Sequence, residues 1–354
     1  MKILHVNTEK GWRGGEQQLF YLAKGLSKFG IKSVVACKVN EELERRCKEE
    51  GIETIPLSGN QLEDITRISI IGREFDIIHA HSAKTHTIVA FSKKFHKRKV
   101  VYTRRVDFVP KNNSLTKLKY KLTDKIVAIS ECVKNILKEN LKLEENKIEV
   151  IYSSVDPKVE KSLNFEKVKE IRRELNGTPI IGSVAALTDQ KNIPTFIESA
   201  SFVLEKYPNA KFLVLGEGKK RKELQNLIEK KGLSGKFYLL GFKREVVNFV
   251  KAFDVFVLPS DYEGLGSSIL IAMLLKVPVV STDAGATKEI VLNKETGILV
   301  PKRNPEKLAD GIIKMIEDKA LRETCTKNAY RMVKEKFTVD KMVEKYVKLY
   351  GEVV

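Results

Sequence analysis

The chain holds one tryptophan, four cysteines and five histidines among 354 residues, and no apolar run approaches the roughly 18–20 residues that span a bilayer. The cysteines, Cys37, Cys47, Cys132 and Cys325, form no C-x-x-C pair, and all five histidines lie in the first hundred residues. A disulfide framework and a zinc cage are therefore not indicated, and the cysteines read as buried or incidental thiols. No Asp-x-Asp pair exists, so no ligand set for a metal-held diphosphate is visible, and neither a metal nor a cofactor is expected. No G-x-G-x-x-G follows the first strand, which weakens a dinucleotide-binding reading. Met1 opens directly onto strand-like KILHVN without a leader pattern, from which a cytoplasmic location is expected.

Acid is the scarcer charge. Asp and Glu number 46 against 64 Lys and Arg, a formal net charge of +18. A heat-adapted surface accounts for a high charged content but not for where the excess sits. Between Phe91 and Lys125 there are twelve Lys or Arg and two Asp, a net +10. Such a segment points to an anionic partner: a membrane surface, a phosphorylated acceptor or a nucleic acid. Tyr102, Phe108 and Tyr120 are too few for the stacking platform that single strands need, so no nucleic acid is expected. Residues Lys117 to Leu122 suit an anionic membrane surface, which makes a peripheral position on the inner face of the membrane an expectation.

The length suits two domains. Short apolar runs alternate with amphipathic segments: KILHVN, KSVVAC, TIPL, DIIHAH, KVVYT, KIVAIS and IEVIYS, then after a polar stretch PIIGSV, KFLVLG, FYLLGF, VFVLPS and VPVVST. This pattern predicts α/β architecture, with two doubly wound, Rossmann-like parallel sheets joined near residues 155–164. Residues 1–157 form the first domain, 158–336 the second, and 337–354 a final helix. In such sheets ligands bind beyond the carboxyl ends of the strands, so the residues just after each run carry the chemistry.

After the first run, Gly14 and Gly15 let the backbone approach a ligand, and the helix behind them offers unpaired N–H groups to a phosphate. Lys191 precedes a helix that begins near Asn192-Ile193-Pro194, where a lysine can pair with a diphosphate. The stretch VFVLPSDYEGLGSSILIAM places Glu263 in a loop between a buried strand and a buried helix, where a carboxylate is costly unless it binds something. Gly264 and Gly266 permit an unusual backbone path there, and Ser267 or Ser268 can cap the helix. Ile271 is expected in its first turn, packed in the core. His79 and His81 end the fourth run on one face and read as satisfied core or wall histidines.

Taken jointly, EGLG, VPVVSTD, EIV, TGILV, KNIPTFIESA, LGEGKKRKELQNLI and the FxxxxMVEKYVKLY ending resemble the retaining glycosyltransferases of family 4, which have the GT-B fold, and the likeness runs the whole chain. The resemblance implies two domains facing across a cleft, the first holding the acceptor and the second the nucleotide-sugar donor, with the last helix crossing back to the first domain. It implies that Glu263 contacts the transferred sugar, Lys191 the donor diphosphate, and Gly14-Gly15 the distal phosphate. Gly264, Leu265, Gly266 and Ser267 would complete the donor loop. Glu16, His81, Arg104 and Arg105 are candidates for the cleft and acceptor.

Three positions depart from the family. Its second Glu, eight residues after the first, is Ile271; the Arg five residues before the diphosphate Lys is Ala186; and a common His after the fifth strand is Arg105. The expectation is a retaining, metal-independent hexosyltransferase acting on an envelope acceptor, such as a lipopolysaccharide core or lipid-linked glycan. Two rival readings stay open. One is a nucleotide-sugar epimerase of the same architecture, which the EGLG loop and Lys191 fit less well. The other is a nucleotide- or polyanion-binding scaffold without activity, motivated by Ile271 and Ala186.

Overall fold

The apolar runs rich in Val and Ile are strands, each about as long as its run, because residues branched at Cβ suit a pleated surface buried on both faces. The computed structural model describes residues 1–354. It divides into two compact units, Met1–Ser154 with Val339–Val354, and Val155–Thr338.

The first unit holds β1 (Lys2–Asn7), β2 (Lys32–Lys38), β3 (Glu53–Leu57), β4 (Ile77–Ala80), β5 (Lys99–Arg104), β6 (Lys125–Ala128) and β7 (Ile148–Val150). They form one sheet in the order β3-β2-β1-β4-β5-β6-β7, with every ladder parallel. The register sets His5 opposite His79. The helix Val339–Val353 lies in this unit, and its Met342, Val343, Tyr346 and Tyr350 join Ile3, Leu22, Ile77 and Val101 in one buried cluster.

The second unit holds β8 (Ile180–Val184), β9 (Lys211–Leu215), β10 (Phe237–Gly241), β11 (Val255–Leu258), β12 (Val279–Thr282) and β13 (Ile298–Val300). Their order is β10-β9-β8-β11-β12-β13, again all parallel. In both sheets the strand order reverses once, beside β1 and β4 in the first and beside β8 and β11 in the second. A crevice opens at such a point because successive connections leave to opposite faces. The loops after β1, β4, β8 and β11 are those that carry Gly14-Gly15, His81, Lys191 and Glu263.

Candidate active site

In the second unit the loop after β8 is fixed before it reaches Lys191. Leu187 N–H donates to the Glu217 carbonyl at 3.0 Å, and Lys220 N–H donates to the Leu187 carbonyl at 3.2 Å. Gly216 has φ 142°, and a Cβ there would lie 2.1 Å from the Ala185 carbonyl oxygen, so the loop after β9 closes on its neighbour only through glycine. Asn192, at φ 43°, then turns the chain into the helix Ile193–Lys206, whose first turn contains Pro194.

Lys191 Nζ stands 2.5 Å from Glu263 Oε1, and Ser260 Oγ donates to the same oxygen at 2.8 Å. The Glu263 side chain is 7% exposed and that of Lys191 18%. The carboxylate placed by the strand–helix loop is therefore matched by the cation from the neighbouring loop, as a buried charge requires. Two residues earlier, buried Asp261 accepts from Arg303 Nε at 2.9 Å and from Asn192 Nδ2 at 3.1 Å. A cavity of about 200 Å³ lies here, lined by Thr188, Asn192, Pro194, Lys220, Asp261 and Arg303. A larger hollow of about 670 Å³, lined by residues that include Asn164, Lys167 and Arg244, holds none of the side chains singled out in the sequence.

Gly264 and Leu265 are buried beside Glu263. Gly266 has φ 91° and is itself the residue that starts the helix Ser267–Leu274, with no side-chain cap. Ser267 and Ser268 thus do not cap: the chain enters through a left-handed glycine, and Ser267 is already the first helical residue. Ile271 is the fifth residue of that helix, in its second turn, and half-buried. The expectation that it packs wholly in the core fails, because a helix apolar on every side still leaves one edge of its surface uncovered.

In the first unit, Gly14 and Gly15 are the first two residues of the helix Gly14–Leu26. Glu16 is buried, and burial raises its pKa. Its Oε1 accepts from Asn7 Nδ2 at 3.0 Å and its Oε2 from Arg13 N–H at 3.0 Å, so it closes the helix start. Arg104 is buried inside the unit, donating from Nη1 to Tyr120 OH at 3.1 Å and from Nη2 to the Phe108 carbonyl. Arg105 runs under the glycine pair, with Cδ 3.6 Å from where a Gly15 Cβ would be. Its Nη2 faces His81 Nδ1 at 3.3 Å, and its buried Nε has no hydrogen-bond partner.

Beneath Arg105 lies a histidine cluster. His5 Nδ1 and His81 Nε2 are 3.1 Å apart. His79 Nδ1 meets Tyr350 OH at 2.6 Å and its Nε2 meets Thr103 Oγ1 at 2.8 Å, while Tyr346 OH bonds Thr103 at 2.8 Å. Burial pushes the His5 imidazole down to about 3, and His79 and His81 well below their usual value, so all three are neutral near pH 7.

The cluster also has the spacing of a metal site, with ligand atoms from His5, His79 and His81 within 4.8 Å of one another. The hydrogen bonds argue against that use. Arg105 donates to His81 Nδ1, so a neutral His81 keeps its proton on Nε2 and donates it to His5 Nδ1. His5 then carries its own proton on Nε2, an atom buried without a partner. The lone pairs a metal needs are engaged within the network.

Lys191 and Glu263 were visible in the sequence as separate candidates; that they meet was not. The sequence marks Asn192 as a helix start and Ser260 as a strand end but gives neither a place in the site, and it does not single out Asp261 or Arg303, although Asp261 stands in the same loop as Glu263. His5, Thr103, Tyr346 and Tyr350 also escaped notice. Only the pairing of β4 with β1 and β5 and the docking of the last helix bring them to His79 and His81.

Two family models match in succession, one described as Glycosyltransferase Family 4 over residues 12–159 and one as Glycosyl transferases group 1 over residues 164–332. An uncharacterized glycosyltransferase of Methanocaldococcus jannaschii is 28% identical over 304 residues, covering 80% of this chain and 77% of the relative. The UDP-Gal:alpha-D-GlcNAc-diphosphoundecaprenol alpha-1,3-galactosyltransferase of Escherichia coli is 28% identical over 309 residues, 79% of this chain and 76% of the relative. Among solved structures, Anabaena HepE in complex with UDP and glucose superposes with a TM-score of 0.89 at 21% identity, over 99% of this chain and 100% of HepE. At that identity the likeness carries the fold.

Proposed function

Because the chain belongs to the family 4 glycosyltransferases of the GT-B fold, we propose that it moves a sugar, with retention, from a nucleoside diphosphate to an envelope glycan or lipid-linked acceptor. The observation that carries this reading is the Lys191–Glu263 pair at 2.5 Å, set between the loops that follow β8 and β11. An ammonium has three donor hydrogens and Glu263 takes one, so Nζ is held in place with donors left for a diphosphate. As the bond to the anomeric carbon breaks, charge develops on the leaving diphosphate. Lys191 meets that charge, and the amino terminus of the helix Ser267–Leu274 adds its dipole.

Glu263 contacts the sugar and keeps Lys191 in position. With retention, the acceptor proton passes to the leaving phosphate on the face it leaves. The bond to the acceptor oxygen forms there and no enzyme nucleophile is required. No protein metal ligand enters this scheme. In the first unit, Gly14-Gly15 and Arg105 offer backbone N–H groups and a guanidinium to a phosphate. A uridine nucleotide is the first donor to test, since the HepE structure holds UDP and glucose and the Escherichia coli relative is named for UDP-Gal.

The test is a thermal-shift screen against nucleoside diphosphates and their sugars, followed by an assay for hydrolysis of the donor that binds. A raised Tm with one nucleotide, and hydrolysis of its sugar, is expected. Binding without hydrolysis or transfer would assign the chain to the scaffold reading, which Ile271 and Ala186 motivate.

A further inference from the structure

The basic segment is sided in a way its composition does not reveal. Of its cations, Arg104 is buried, Arg105 is half-buried under Gly15, and Lys93 pairs with Asp124 at 2.7 Å. Lys94, Lys97, Arg98 and Lys99 are exposed at the start of the segment, and further along a short helix and the loop before it reach water. In the helix Ser114–Leu122, Tyr120 is buried and the flanking Thr116 and Lys119 are half-buried, which marks the inner face. Leu115 and Leu118 therefore point outward, 58% and 44% exposed, on the stripe that Leu122 continues at helical spacing. Exposed Lys117 and Lys121 form the adjacent stripe.

The loop adds Val106, Phe108 and Val109, the last 64% exposed, and Lys111 beside them. It is tied to the helix, because the Arg104 guanidinium donates to Tyr120 OH and to the Phe108 carbonyl at once. A soluble surface helix turns its leucines inward and its lysines outward. Here both face water side by side, which is the pattern of a helix lying in a bilayer interface. The acids of the segment do not oppose it: Asp107 is buried and Asp124 is engaged by Lys93.

We propose that this face docks on an anionic lipid bilayer, with Phe108, Val109 and Leu115 entering the boundary between headgroups and acyl chains and Lys111, Lys117 and Lys121 meeting lipid phosphates. The occupant follows from charge: an apolar patch ringed by lysines fits a surface that is both oily and negative. The proposal deepens the lipid-linked acceptor reading and rests on it for its purpose, since docking would bring the first unit to a substrate held in the membrane.

The experiment sediments the full chain with vesicles of phosphatidylglycerol mixed with phosphatidylcholine, and with phosphatidylcholine alone, at low and high salt. Binding to the mixed vesicles that weakens with salt is expected. Val109→Asp with Leu115→Ser should lower the partition about tenfold or more, because both the inserted area and the charge match are lost. Lys117→Ala with Lys121→Ala should lower it roughly fivefold per lysine. Equal binding to both vesicle types, binding to neither, or an unchanged partition for Val109→Asp with Leu115→Ser would overturn the proposal. Self-association of the wild type that this variant abolishes would also overturn it, by giving the face to a second copy of the chain. Donor hydrolysis without vesicles, measured on the same variants, is expected to match wild type. Its absence from the wild type refutes the transferase reading and leaves the vesicle result to be judged separately.

Discussion

In the first unit the loops and strand ends of β1, β4 and β5 gather His5, His79, His81 and Arg105; in the second the loops after β8 and β11 bring Lys191 to Glu263, and the loop after β13 brings Arg303 to Asp261. Both groups sit where the strand order of their sheet reverses. The first is a lattice of neutral rings and hydroxyls around one cation, each bond fixed by the next. The second is a set of ion pairs whose cation has donors left over. A neutral lattice holds its shape whether or not an anion arrives. An ion pair responds to one, because an incoming diphosphate competes for the same ammonium.

The largest expected effect separates the units by pH. All five histidines belong to the first unit, and burial lowers each of them, His96 to about 4 and His5 to about 3. An unfolded histidine takes up a proton near pH 6.5, whereas the folded ones stay neutral well below that. Unfolding therefore binds protons in this window, and stability is lost as pH falls from about 6.5 toward about 4. At pH 5 each imidazole that stays neutral contributes about 2 kcal/mol of this loss. Trp12, the one tryptophan, lies in the first unit, so its fluorescence should report a lower urea midpoint at pH 5 than at pH 7.5. A midpoint independent of pH would break the contrast.

Next is the ion pair. Lys191→Ala is expected to weaken nucleoside-diphosphate binding and to lower turnover about a hundredfold or more, the effect of removing one charge-stabilising donor. Glu263→Ala should lose most transfer activity as well. Because the two side chains touch, the double variant should cost less than the product of the single effects, a coupling of about 0.5–3 kcal/mol. Strict additivity in that cycle would show that the contact does not act in the reaction. Activity and binding near wild type for Lys191→Ala would reduce it to a structural lysine.

The smallest effect concerns Ile271. Its half-exposed place allows a longer polar side chain, so Ile271→Glu should fold normally and tighten donor binding about tenfold through a charge-assisted hydrogen bond to a ribose hydroxyl. Turnover at saturating donor should change little. An altered turnover with unaltered affinity would place this position closer to the chemistry.

The strands and the two-sheet plan were legible because Val and Ile runs of strand length, alternating with amphipathic segments, have few other stable packings. Lys191 and Glu263 were legible by their neighbours in sequence. Their contact was not, since 72 residues separate them and only the pairing of β8 with β11 closes that distance. Ser267 misled because a serine before an apolar run is a common cap, whereas the glycine beside it had already set the helix start. The lysines of the helix Ser114–Leu122 pointed to an anionic surface, but the sequence alone does not say which way its leucines turn. Which side they face depends on Tyr120, whose hydroxyl is drawn inward by a guanidinium on another strand.

The chain connectivity of the first unit has a consequence for how the molecule forms. Its sheet and helices come from Met1–Ser154, but the helix that covers Ile3, Leu22 and Ile77 comes from Val339–Val354, after the whole second unit has been made. Joining ends separated by so long a flexible stretch would carry a loop-closure entropy of several kcal/mol. The second unit removes most of that penalty once folded, because Val155 N–H bonds the Phe337 carbonyl at 2.8 Å and Val155 pairs with Thr338, so its two ends leave side by side. The second unit thus behaves as an inserted domain whose own folding templates the completion of the first. During synthesis the nascent first unit must wait, with part of its apolar core uncovered, until residues 339–354 leave the ribosome.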